Sequence, residues 1–127
     1  MAYPVNHTLD EIEAWAYLAD VSTGTPAAFT YAPIRGEIVR VKAVQYATIA
    51  GTDCTVVPKI NGTAITGGTI TLETTGDAAG DTTEVTISPG STARVAEGDT
   101  ISFVSGGECD NATVPCMFTA TIRARRN

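Results

Sequence analysis

Residues 59–72 read KINGTAITGGTITL, with two glycine-bearing turn signals, Asn61-Gly62 and Gly67-Gly68, set between short runs of Ile and Thr. Both pairs supply the positive φ that two-residue hairpin turns require, so the segment predicts a β-meander. It carries no nucleophile, acid or metal ligand. A strong fold signal without chemistry is therefore the first constraint on the chain.

The rest of the sequence repeats that pattern. Strand signals are expected at 14–21, 28–31, 37–49, 54–60, 84–88, 91–95, 100–104 and 116–125, separated by Gly, Pro and Asp turns. Val39, Val41 and Ala43 share one parity while Val44 and Tyr46 take the other, which predicts a bulge or two covered faces in that long strand. Within 8–19 two patterns compete. Thr8-x-x-Glu11 matches a helix capping box, whereas Trp15, Tyr17, Ala19 and Val21 alternate as in a strand; strand is assigned from Ala14. The expectation is one all-β domain of 127 residues. It comprises an N-terminal arm at 1–13 and an antiparallel β-sandwich, an eight-stranded jelly roll, at 14–127.

Composition narrows the function classes. Charged residues make up 17% of the chain and the formal net charge is −6. A nucleic-acid partner needs clustered cations, and the one basic cluster, Arg123, Arg125 and Arg126, is terminal and short, so nucleic acid is disfavoured. No run of residues reaches the length of a membrane span, and the first residues lack the pattern of a signal peptide. The expectation is synthesis in a cytosol and no membrane partner.

Each candidate for chemistry has a plainer reading. The one histidine, His7, lies in the arm, where it is expected to be solvated. Asp77, Asp81 and Glu84 bracket a Gly-rich loop without the dense spacing of calcium loops, and Glu108 and Asp110 only flank Cys109. Asp99 in Glu97-Gly98-Asp99 is expected to bond its own turn. Asn-x-Thr triplets at Asn6, Asn61 and Asn111 are expected to be incidental. Cys54, Cys109 and Cys116 form no zinc motif. Cys109 and Cys116 flank one loop and are a candidate disulfide, contributing about 2.5 kcal/mol; two free buried thiols are the equal alternative. The sequence thus predicts no enzyme, no metal and no cofactor.

Over Trp15-Ala-Tyr-Leu-Ala-Asp-Val-Ser22, Tyr31-Ala-Pro33, Gly36-Glu-Ile-Val-Arg-Val41, residues 59–72, Val95-Ala-Glu-Gly-Asp-Thr-Ile101 and Thr121-Ile-Arg123, the chain resembles the small β-sandwich head decoration (cement) proteins of tailed bacteriophages. The arm and the cysteines lie outside that resemblance. It implies a homotrimer on the outer surface of the expanded phage head, with the major capsid protein as partner and shell stabilisation as function. The interface residues expected on this reading are Tyr3, Pro4, Val5, His7, Leu9, Ile12, Trp15 and Tyr17. The alternative is a jelly-roll binding module for carbohydrate or a host surface, such as a head-fibre or tail-fibre tip, which would require exposed aromatics or a Ca²⁺ site near the loops around Asp77 or Glu108.

Overall fold

A computed structural model describes residues 11–22, 26–49, 51–74, 78–107, 109 and 113–124. Among the described residues the Thr- and Val-rich runs form ten strands: β1 (Glu11–Leu18), β2 (Ala27–Tyr31), β3 (Gly36–Gln45), β4 (Cys54–Ile60), β5 (Thr63–Ala64), β6 (Ile70–Leu72), β7 (Thr82–Thr86), β8 (Arg94–Val95), β9 (Thr100–Ser105) and β10 (Cys116–Ala124). A 3-10 turn, Ser91–Ala93, precedes β8.

Two antiparallel sheets face each other. Sheet A has the order β1-β10-β3-β7 with β8 also on β3, and sheet B the order β2-β9-β4-β5 with β6 also on β4. Because β7 and β8 share one neighbour, and β5 and β6 another, each sheet has four strand positions. Eight positions in this order make a jelly roll, as expected. The inner faces meet in one core in which Phe103 of β9 stacks on Phe118 of β10 at 4.9 Å between ring centres. Ile38, Val41, Val56, Ile70, Leu72, Ile101 and Ile122 fill the space around them.

Several local expectations are corrected. β1 starts at Glu11 rather than Ala14 and ends at Leu18, so 11–13 are paired strand and not arm or helix. The bonds to β10 decide this: Glu11 stands opposite Arg123, and an eight-residue ladder outweighs the local capping signal. β3 stops at Gln45. Its irregularity lies at Val39, where the register against β10 shifts between Thr121 and Ile122.

The 59–72 segment is not a meander. Asn61-Gly62 does turn the chain, with φ of 50° and 87°, but β5 and β6 both pair with β4 and are two halves of one interrupted strand. Pro58 is the cause. Its carbonyl accepts the Ile65 amide at 3.0 Å, yet it has no N–H to return. The Ile65 carbonyl instead accepts Gly68 N–H at 3.1 Å, closing a turn through Gly67 at φ 74°.

The cysteine expectation is also overturned. Cys109 is disulfide-bonded to Cys54, with Cα atoms 5.2 Å apart, and Cys116 is a free, buried thiol. Cys116 sits in the central strand of sheet A, opposite Gln45 and Leu18. Cys109 is instead held toward the start of β4: Thr52 N–H donates to its carbonyl at 2.6 Å, and its own N–H donates to Ser22 O at 3.0 Å.

Candidate interaction surfaces

The acidic residues singled out in the sequence serve local structure. Ala78-Ala-Gly-Asp81 and Ala96-Glu-Gly-Asp99 are the same turn used twice. In each the aspartate carboxylate accepts the alanine N–H at 2.8 Å, and its own N–H donates to the alanine carbonyl at 3.0 Å. The glycines take φ of 92° and 90°. The hydrogen bond from Ala96 N–H, with Asn61 second, holds the Asp99 carboxyl below its ordinary value. Glu84 lies 3.4 Å from Arg40 Nε. Asp81 thus serves its own turn and Glu84 pairs with Arg40; among the described residues no group of three His, Cys, Asp or Glu is placed to hold a metal ion. Asp77, Glu108, Asp110, Asn6, Asn111, Arg125, Arg126, His7, Tyr3, Pro4, Val5 and Leu9 lie outside the described residues.

The outer face of sheet A is mixed in character. Register places Trp15, Thr119, Lys42 and Glu84 in one row across four strands, and Tyr17, Met117, Val44 and Thr82 in the next. A third row holds Glu13, Thr121, Arg40 and Thr86. Trp15 and Tyr17 are 55% and 51% exposed, and Tyr46, just past the end of β3, places its ring centre 6.0 Å from that of Tyr17 from the other side of β10. Thr119 and Thr121 are buried, so the middle strand forms a floor between an aromatic side and a charged side.

At one end of this face Glu11 bridges two arginines, with Oε1 2.9 Å from Arg40 and Oε2 2.9 Å from Arg123. These bonds, that to Arg123 the larger, hold the Glu11 carboxyl below its ordinary value. Of the expected interface residues that are described, Ile12, Trp15 and Tyr17, the latter two share a face. Ile12 is exposed but has the opposite parity, alongside Ala14 and Ala16.

Sheet B differs in chemistry. Its five strands contain one charged residue, Lys59, and no acid, in a chain of net charge −6. Its outer face aligns Ala27, Val104 and Val57 in one row, and Phe29, Ser102 and Lys59 in another, with Tyr31 opposite Thr100. Phe29 and Tyr31 are 67% and 64% exposed. Sequence reading missed this face. The signal lay in the distribution of acids: those of the described residues all fall in β1, β3, β7 or segments between strands.

The edge strands β1 and β2 pack side by side, so the aromatic pairs flank one lateral edge on opposite faces of the sandwich. Opposite Leu18 at the end of β1, the buried Cys116 thiol has its pKa pushed up to about 12, by burial first and the nearby Asp20 carboxylate second.

No protein-family model matches the chain, and no curated protein matches it in sequence. Among solved structures it is similar to CsCBM6-3 from Clostridium stercorarium, a structure in complex with cellobiose, at a TM-score of 0.51 and 17% identity over 87% of this chain and 74% of that one. It is also similar to a chain of the cyanophage Pam1 capsid asymmetric unit, at 0.52 and 9%, over 91% of this chain and 86% of that one. At these identities the likeness is one of fold.

Proposed function

We propose that this protein is a non-catalytic decoration protein of a virus head, docking on the outer surface of the shell as a homotrimer and stabilising it. The carrying observation is the outer face of sheet B, acid-free and aromatic on a strongly acidic chain. Interface cores are depleted of charge and enriched in aromatics, and Phe29 and Tyr31 supply both anchors. Sheet A is the poorer docking face, because covering it would desolvate Glu11, Glu13, Glu84 and Lys42. Trp15 and Tyr17 are therefore assigned to the face turned away from the shell. The end-to-end fold likeness to a chain of a phage capsid asymmetric unit supports the reading. Three linked copies sum weak contacts into a firm attachment.

The test is co-sedimentation with expanded and unexpanded heads lacking the protein, together with light scattering of the free protein. A trimer that pellets with expanded heads is expected. Phe29→Ser combined with Tyr31→Ser should weaken attachment at least about thirtyfold, the effect of losing one interface hot spot. A monomer without affinity for heads, or undiminished pelleting of the double variant, would sink the proposal.

A further inference from the structure

The geometry points to a saccharide-binding site on the outer face of sheet A, taking a neutral pyranose chain along the trough between Trp15–Tyr17 and Lys42. The site shares no residue with the shell-docking face and does not depend on that reading.

The platform is aromatic and aligned. Trp15 and Tyr17 are two positions apart on one strand, so both project from the same face with their backbones about 6.6 Å apart. Both are more than half exposed, and Tyr46, just past the end of β3, brings a third ring to within 6.0 Å of Tyr17 from the other side of β10, bounding one end of the trough. Apolar sugar faces stack on such rings, which carry a large apolar area at low entropic cost.

Beyond the platform lies a floor of small hydroxyl side chains, Thr119 and Thr121. On its far side, two strands or about 10 Å from Trp15, stands Lys42. Lys42 forms no ion pair with a described residue, because its cross-strand neighbour Glu84 is drawn to Arg40. Glu13, next to Trp15 on the same face, likewise forms no ion pair with a described residue. The trough thus offers one uncommitted donor group and one uncommitted acceptor group around an aromatic stack.

That balance selects the ligand class. Sugar hydroxyls both donate and accept, so an uncharged chain satisfies Lys42 and Glu13 together. A polyanionic chain would meet Glu11, Glu13 and Glu84 on the same face. A protein partner would have to desolvate the same charges, which is why docking is assigned to sheet B.

Trp15 is the only tryptophan in the chain, so its fluorescence reports the site directly. The protein is titrated with cellohexaose, xylohexaose and mannohexaose, each to about 10 mM, and with oligogalacturonate as the charged comparison. Saturable change with at least one neutral oligosaccharide is expected. Lys42→Ala, which keeps the reporter, should weaken it about tenfold, as for loss of one hydrogen bond to a charged group. Tyr17→Ala should weaken it at least as much. Calorimetry of Trp15→Ala should show no binding, with an unchanged melting curve establishing that the variant is folded.

Saturation by oligogalacturonate alone would overturn the assignment to neutral chains. Binding unaltered in both Lys42→Ala and Tyr17→Ala would overturn the site, and so would the absence of any saturable change. All these readouts use the free protein, so failure of shell docking is scored separately by co-sedimentation.

Discussion

Cys54 and Cys109 are 55 positions apart in the chain and joined by a disulfide, which ties the start of β4 to the segment between β9 and β10. Around the bridge, Cys109 bonds Thr52 and Ser22, and Ser105 Oγ donates to the Val21 carbonyl at 2.7 Å. Three connecting segments at one end of the sandwich are thereby held through a single residue.

Reduction should therefore be costly. Closing a loop of that length removes unfolded-state entropy equivalent to about 4 kcal/mol at room temperature. That is a large part of the stability of a domain of this size. Denaturant unfolding with and without dithiothreitol measures it: the wild-type midpoint should fall, while Cys54→Ser should start low and not respond. Thiol titration should find one reactive group per chain in denaturant and none in native protein, because Cys116 is buried with its pKa pushed up to about 12.

A second prediction concerns β3 and β10. Gly36 lies against the backbone of β10, and a Cβ placed there would overlap the Arg123 carbonyl and come within 2.8 Å of Ile122 Cγ2. Backbone cannot give way as a side-chain tip can. Gly36→Ala should cost roughly 1–3 kcal/mol by overpacking, visible as a lower thermal midpoint with unchanged far-ultraviolet circular dichroism.

Much of the fold was legible from local chemistry. Asn61-Gly62 announced its turn because positive φ is a property of those two residues. The break after Ala64 was less legible, because it comes from what Pro58 fails to donate to a strand reached later in the chain. The cysteine pairing depends on which loops converge and could not be read from spacing. Orientation on the edge strands was hidden for a similar reason: β2 spans five residues, too few for alternation to show that Phe29 and Tyr31 point outward. Thr119 and Thr121 alternate with the core residues Phe118, Ala120 and Ile122, the pattern of a solvent face, yet are buried because β10 is flanked on both sides by strands with longer side chains.

The turn at Asn61-Gly62 gives a third prediction. Gly62 has φ 87° and open space around its Cα, so Gly62→Ala tests backbone strain without a clash. It should cost about 1 kcal/mol. Asn61→Ala should cost somewhat more, because it also removes the acceptor that Asn61 Oδ1 offers to Thr100 N–H at 2.9 Å. Urea midpoints at constant slope would establish both.

The last prediction is the acid dependence set by Glu11. Its carboxyl is held below the ordinary value of 4.5, first by the bond from Arg123 and then by that from Arg40. A carboxylate with a depressed folded-state pKa contributes stability that is fully present above its unfolded value and lost as pH falls through the folded one. The thermal midpoint should thus hold steady on the neutral side of 4.5 and decline below it. Glu11→Gln should start lower at neutral pH and decline less steeply, keeping the part of the slope that Asp99 contributes, since that carboxyl is depressed as well. The Arg123 side chain is 59% exposed, so solvent screening limits the difference to below about 1 kcal/mol and added salt should shrink it further. Parallel acid limbs for the variant and the wild type, at low salt, would show that the bridge from β1 across β10 to β3 adds nothing to the sheet.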